Sequence, residues 1–142
     1  MCDPSRRQFL GSGGLIGLIG LAGCTSVPFV GTLRFRLRNY TDEAYEARIE
    51  IRLTGRSGFE QTYDLPSASG TDPSVHTEPT AISNVLKGMT YTVSLFLDGT
   101  KVETLTATMN CVDRDEQQVD EEIDITIGFG GNDTVEMADT QC

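Results

Sequence analysis

The amino-acid sequence predicts an all-β domain, an antiparallel β-sandwich of about seven short strands behind an N-terminal segment that is removed. Three observations predict this fold class. Apolar and polar residues alternate in several runs, which places one face of each strand in a core. Glycine, asparagine and aspartate cluster between those runs, as turn residues do. Beyond residue 30, no run shows the spacing of three and four that marks a helix.

The first two strands are predicted over residues 33–37 and 45–53, where apolar residues alternate with charged ones. We expect the two runs to form an antiparallel hairpin across residues 39–44. In that register two outward arginines of the first run face glutamates of the second, Arg38 facing Glu46 and Arg34 facing Glu50. Each such pair would contribute about 0.2–1 kcal/mol. The same register leaves Arg36 facing Arg48, a like-charge pair. The alternative is that the outward arginines form an anion-binding stripe.

The later strands follow the same alternation. They are predicted near residues 59–65, 91–97, 102–111 and 123–129, with a last edge strand near 134–138. The dipeptide Asp98-Gly99 between two of them is a strong signal for a tight hairpin turn. The pattern of short strands separated by turn residues favours a sandwich over other folds.

A long loop is predicted over residues 66–79, which are rich in serine, threonine, glycine and proline. Loops of this length are uncommon in a compact domain and are either functional or disordered. This loop contains His76, the sole histidine of the chain. With no cysteine or second histidine near it in sequence, His76 is expected to be solvated rather than a metal ligand.

The charge of the chain excludes one class of partner. The formal net charge is −10, and the only lysines are Lys87 and Lys101. An acidic surface repels nucleic acid, so a DNA or RNA partner is not expected. Spread-out carboxylates with scarce lysine resemble haloarchaeal proteins, since in molar salt the Debye length falls to about 3 Å and self-repulsion is screened. The alternative is an ordinary solvated acidic surface.

The N-terminus carries the pattern of an export signal. Residues 5–10 read S-R-R-Q-F-L, which resembles the twin-arginine signal, with Arg6 and Arg7 as its arginine pair. The apolar, glycine-containing run that follows, at 13–21, is shorter than the roughly 20 residues that span a hydrocarbon core. Residues 1–23 are therefore predicted to be a cleaved signal peptide. The resemblance implies export in the folded state.

The signal ends in Leu21, Ala22, Gly23 and Cys24, which resembles the lipobox of bacterial and archaeal lipoproteins. The resemblance implies that the thiol of Cys24 takes a diacylglyceryl-type lipid. Two acyl chains suffice for stable anchoring. The chain then divides into the signal, a lipidated tether over 24–30 and a domain over 31–142. The expected location is the outer face of the cell membrane.

Residues 85–91 resemble the corner that precedes a strand in fibronectin type III and similar domains. In that corner an apolar residue and a glycine precede a tyrosine, here Tyr91, whose hydroxyl bonds to the backbone. The region 31–129 as a whole resembles the immunoglobulin-like domains of haloarchaeal lipoproteins. This resemblance implies an immunoglobulin-like sandwich and no reaction.

If Cys2 leaves with the signal and Cys24 carries the lipid, two cysteines remain in an oxidising exterior. We therefore expect a disulfide between Cys111 and Cys142. The alternative is that both are free thiols. Two N-x-T sequences, at Asn39 and Asn132, fall in predicted turns and are candidate glycosylation sites.

No catalytic site, zinc spacing or phosphate-binding glycine loop is apparent, so we expect no enzyme activity and no cofactor. The acidic stretch 113–124 departs from an EF-hand at its sixth and twelfth positions, Gln118 and Asp124. A solvated acidic loop is the preferred interpretation, and a weak divalent-cation site is the alternative. The sequence thus predicts a surface module that binds an envelope protein or a solute through loops at one end, with 66–79 as the first candidate. The alternatives are a small exported hydrolase, a protease inhibitor and a structural spacer.

Overall fold

The structure is a computed structural model, and it describes residues 30–111, 120–131 and 134–140. The signal, the lipobox, Cys24, Asn132 and Cys142 lie outside the described residues. The strands of the described ranges are β1 Val30–Asn39, β2 Tyr45–Leu53, β3 Arg56–Leu65, β4 Ser74–Leu86, β5 Thr90–Leu97, β6 Thr100–Thr108, β7 Asp120–Ile127 and β8 Val135–Asp139. A single 3₁₀ turn, Phe129–Gly131, lies between the last two strands.

The strands form two four-stranded sheets with the orders β4-β1-β7-β8 and β3-β2-β5-β6. Every neighbouring pair is antiparallel except β1 with β7, which is parallel. The all-β sandwich is confirmed, with eight strands in place of about seven. In an immunoglobulin constant domain one sheet has the order 1-2-5-4 and the other holds strands 3, 6 and 7. The strand order observed here differs from that arrangement.

The core lies between the sheets and is built by the alternation seen in the sequence. Twelve inward side chains from the four central strands are almost completely buried: Leu33, Phe35, Leu37, Ala47, Ile49, Ile51, Tyr91, Val93, Leu95, Ile123, Ile125 and Ile127. Fully burying one large apolar side chain contributes about 1.5–3 kcal/mol. The third strand also has its predicted face, since Phe59 and Tyr63 pack against this core and Leu65 is buried in it.

The predicted hairpin between the first two strands is wrong. β1 and β2 lie in different sheets, and β1 is a central strand that pairs with β4 on one side and β7 on the other. Alternation reports which face of a strand is buried, but it carries no information on which strand lies beside it. Residues 40–44 are therefore a connection between the two layers and not a hairpin turn.

The outward arginines of β1 nevertheless face carboxylates, supplied by β7. Arg34 Nε lies 2.9 Å from a carboxylate oxygen of Glu122, and Arg36 Nη2 lies 3.0 Å from its other oxygen. Arg38 Nη2 lies 3.3 Å from Asp124 Oδ1. These side chains are partly exposed, so each pair contributes on the order of 1 kcal/mol. Because all three arginines are paired, the anion-binding stripe is not supported.

The loop predicted over 66–79 is shorter, because β4 already begins at Ser74. Proline is tolerated on an edge strand, and Pro79 falls in the irregular stretch between the Leu33–Ile82 and Phe35–Glu78 pairs. His76 therefore lies on a strand. Its ring centroid is 4.0 Å from that of Tyr63, so the prediction of a solvated loop histidine is wrong.

Candidate functional site

The chain direction defines two ends of the sandwich. Val30 pairs with Leu86 at one end, and Asn39 pairs with Ser74 at the other. The ten residues of β1 separate these ends by about 30 Å. We call the end that contains Val30 the proximal end. The other, the distal end, is formed by the described loops 40–44, 66–73, 98–99 and 128–131.

The side chain of Asn39 holds two of the distal loops together. It is fully buried. Its amide nitrogen donates hydrogen bonds to the carbonyl oxygens of Glu43 (2.7 Å) and Pro66 (2.9 Å). Its Oδ1 accepts hydrogen bonds from the backbone N–H (3.0 Å) and the hydroxyl (2.7 Å) of Thr41. Both amide hydrogens are used inside the fold, so the predicted glycan at Asn39 does not fit the folded domain and that prediction is corrected.

Backbone hydrogen bonds connect the same loops to β7 and to the turn after it. Ala68 N donates to the carbonyl of Thr41 at 2.8 Å, and Tyr40 N donates to that of Ile127 at 2.9 Å. Gly128 adopts a φ of +74°, and a Cβ at that position would lie 2.3 Å from Thr41 Cγ2. Only glycine fits there without displacement. The distal loops are thus closely interconnected.

An aromatic pair is the principal apolar feature of the distal end. Phe129 was expected to face inward at the end of a strand, but β7 ends at Ile127. Glycines with φ near +80° at 130 and 131 shape the turn that carries Phe129, whose surface is 59% exposed. Its ring meets that of Tyr40 edge to face, with centroids 5.3 Å apart and planes at 76°. The pair presents aromatic surface to solvent.

An open depression of about 460 Å³ lies beside this end, where β2 begins and β3 ends. It is lined by Ala44, Tyr45, Glu46, Asp64, Leu65 and Pro66. Pockets that bind small molecules are typically enclosed and largely apolar, with a few convergent polar groups. The lining of this depression contains no serine, cysteine or histidine, so it holds no Ser–His or Cys–His pair.

A buried polar cluster lies at the proximal end. The Tyr91 hydroxyl donates a hydrogen bond to Glu121 Oε1. Glu121 Oε2 accepts hydrogen bonds from the backbone N–H groups of Asn110 (2.7 Å) and Cys111 (3.2 Å). The expected tyrosine corner is therefore corrected, because the partner of Tyr91 is a carboxyl side chain and not the backbone. The signal in the sequence was the period of two that places Glu121 on the same face as Ile123.

Cys111 lies in this cluster and is fully buried. Its Sγ is 3.4 Å from the carbonyl oxygen of Thr140. Cys142 is two positions further along the chain and lies outside the described residues. The Cys111–Cys142 disulfide stays a prediction.

A second cluster lies between the edge strands β3 and β4. The Tyr63 hydroxyl donates a hydrogen bond to Glu78 Oε2 at 3.1 Å, and the ring of His76 packs on that of Tyr63. His76 Nε2 is buried and has no hydrogen-bond partner among the described residues. Phe35 contacts the Tyr63 ring edge to face at 5.8 Å. These contacts join the two sheets along one side of the sandwich.

The buried Tyr91 and the partly buried Tyr63 make the stability of the fold decrease at alkaline pH. Burial and the hydrogen bond to Glu121 raise the pKa of the Tyr91 phenol. Burial and Glu78 raise the pKa of Tyr63 in the same way. In the unfolded chain tyrosine titrates near its ordinary pKa of about 10. Above that pH the unfolded chain therefore binds fewer protons than the folded chain, and stability falls as pH rises.

Urea unfolding midpoints should accordingly be little affected by these phenols below about pH 9 and should decrease above about pH 10. The Tyr91→Phe variant should show a shallower decrease than the wild type. Two results would contradict the conclusion that the tyrosine phenols cause this loss of stability. One is a parallel dependence of the urea midpoint on pH for the two proteins, and the other is a wild-type midpoint that is constant across this range.

No group of three or more histidine, cysteine or acidic side chains in the described ranges is placed to hold a metal ion. Residues 120–124 of the candidate cation segment form strand β7, so this part of the predicted acidic loop is corrected, and Glu122 and Asp124 are paired with arginines. The rest of the segment, up to residue 119, lies outside the described residues. Among those described, no helix is long and apolar enough to cross a membrane.

No protein-family model matches the chain, and no curated protein matches its sequence.

Proposed function

We propose that the protein is an exported lipoprotein, anchored by Cys24 to the outer face of the cell membrane, whose non-catalytic domain binds a partner through its distal end. The observation that carries this proposal is that the N-terminal start of β1 and the interconnected loops lie at opposite ends of the sandwich. β1 begins at Val30, six positions after Cys24, and the interconnected loops lie at the opposite end.

The lengths of the two segments support this arrangement. A tether of six residues spans at most about 20 Å, which would hold the proximal end near the membrane. The distal end would then lie about 30 Å further out. Loops carried on a rigid scaffold are the usual place for binding residues. The bonding of Asn39 and the aromatic pair favour a binding end over a plain spacer, whose loops need no such order.

The proposal extends to the two remaining predictions about the mature chain. The Cys111–Cys142 disulfide would pin the C-terminal segment to the proximal end, and the short distance from Cys111 Sγ to the Thr140 carbonyl oxygen supports it. The disulfide would close the loop between positions 111 and 142, which would lower the entropy of the unfolded chain and stabilise the fold by roughly 3–4 kcal/mol. The acidic composition supports adaptation to high salt.

The anchor is tested by replacing the lipidated sulfur. The Cys24→Ser variant should move from the membrane fraction to the soluble fraction when expressed in a host that has lipoprotein-processing enzymes, because the lipid attaches at that thiol. Cys2→Ser is the matched control, since it removes a cysteine from the same segment and should remain with the membrane. A Cys24→Ser protein that stays membrane-bound and resists alkaline extraction would refute the anchor.

A further inference from the structure

The proposed binding end exposes an aromatic side chain, Phe129, which indicates what kind of partner group it can bind. Among the exposed large apolar side chains of the described residues, Phe129 is the one aromatic, and the others are Val75, Leu86 and Val102. Single exposed apolar residues are ordinary on protein surfaces. The significance of Phe129 comes instead from its pairing with Tyr40 and from the way the fold holds both rings in place.

The backbone segments that carry both rings are held by hydrogen bonds before any partner binds. Tyr40 is held by the hydrogen bond from its N–H to the carbonyl of Ile127, and the Phe129 turn is closed by the one from Gly128 N to the carbonyl of Thr134 at 2.8 Å. Gly128 in turn contacts Thr41. Binding to such a pair costs little ordering entropy, which is what a preorganised recognition surface provides.

The loops of the distal end carry charge of one sign. None of the described distal loop residues is lysine or arginine. The same loops contain four exposed acidic residues: Asp42, Glu43, Asp72 and Asp98. Asp98 is occupied, because its Oδ1 accepts a hydrogen bond from the backbone N–H of Glu46 at 2.9 Å. Asp42 and Glu43 lie two and three positions after Tyr40, in the same loop as that ring, and Glu43 Oε2 accepts a hydrogen bond from the Tyr45 hydroxyl at 3.3 Å.

Resting on the proposed function, we propose that the Tyr40–Phe129 pair and the adjoining loop carboxylates form a recognition surface for an arginine side chain of a partner protein. A guanidinium group stacks on aromatic faces and bonds carboxylates at the same time. It is also more weakly hydrated than an ammonium group, which favours arginine over lysine. In molar salt long-range attraction is screened, so recognition has to come from direct contact of this kind.

The test uses the full chain in detergent micelles at molar KCl and two capped peptides, Gly-Arg-Gly and the same peptide with citrulline. Citrulline has nearly the shape of arginine and no charge. We expect the arginine peptide to bind more tightly by about twofold to thirtyfold, the range for one cation–π contact. The Phe129→Ala variant should show a smaller preference than the wild type, because the cation–π contact is lost while the loop carboxylates remain. Leu86→Ala, at an exposed residue of the proximal end, should keep the wild-type preference.

Equal affinity of the two peptides, or a preference that is undiminished in Phe129→Ala, would overturn the arginine proposal. The proposed function has a separate test, which is whether a partner is captured at the distal end in intact cells, and it fails if none is captured there. A captured partner together with equal peptide affinities would refute arginine recognition alone. Circular dichroism of Phe129→Ala checks that the exposed substitution leaves the fold intact.

Discussion

Replacing Glu121 by alanine is expected to lower the free energy of unfolding by about 3–5 kcal/mol, one of the two largest effects of a single substitution predicted here. Glu121 is fully buried and accepts hydrogen bonds from the Tyr91 hydroxyl and from the backbone N–H groups of Asn110 and Cys111. Alanine leaves those donors without their acceptor. A buried unsatisfied donor costs about 1–3 kcal/mol, and the lost side chain adds a cavity.

Glu122→Ala is the matched control on the adjacent position. Glu122 points to the opposite face of β7, where its carboxylate pairs with Arg34 and Arg36. The arginines remain about one-third exposed although Glu122 itself is mostly covered, so each pair contributes on the order of 1 kcal/mol and this variant should lose less stability than Glu121→Ala. Chemical denaturation of the three proteins measures the difference. Equal losses for the two variants would show that the buried carboxyl does not organise the proximal end.

The second large effect is expected at Gly58, in the irregular stretch where β3 pairs with the end of β2. A Cβ at this position would lie 2.0 Å from the carbonyl oxygen of Ile51 and 3.3 Å from the Cα of Arg52. Both are backbone atoms, so the clash is relieved only by moving the backbone of β2 or of β3. Overpacking costs typically 1–3 kcal/mol, and we expect Gly58→Ala to lose about 2–4 kcal/mol because backbone has to shift.

Gly55→Ala separates this clash from the general cost of replacing a glycine. Gly55 has a φ of +74° and no atom within 4 Å of its would-be Cβ. Its replacement therefore carries only the left-handed backbone penalty, about 1–2 kcal/mol. Thermal unfolding should rank Gly58→Ala as the less stable variant. The reverse order would mean that β2 and β3 are not in the close contact described.

The period-two alternation predicted seven of the eight described strands, because burial on one face is a local property of each strand, and it missed β4, whose first residues were assigned to the loop 66–79. It identified the inward positions from Leu33 to Ile127 and the Asp98-Gly99 turn of the β5–β6 hairpin. It failed on the partner of β1, because pairing with β7 joins residues more than 80 positions apart. The charges of Arg34 and Glu122 are complementary, but so are those of Arg34 and Glu50. Composition alone does not choose between them.

The candidate site was less predictable for a related reason. Asn39 is recognisable as a turn residue, but its bond to the carbonyl of Pro66 depends on bringing together loops from both sheets. The outward direction of Phe129 depends on positive φ angles at Gly130 and Gly131, and the run of apolar residues before it favoured an inward one. His76 was assigned to a loop because serine, threonine and proline around it suppress the strand signal of an edge strand.

The central claim, that the distal end is the binding end of an anchored module, is tested most directly by photo-crosslinking in intact cells. A benzophenone amino acid placed at Phe129 keeps an aromatic ring on the distal end, and the same residue at Leu86 probes the proximal end at comparable exposure. If the distal end is the binding end, position 129 should give a discrete protein adduct and position 86 should give no adduct of the same mass. The same adduct from both positions, or from position 86 alone, would contradict it.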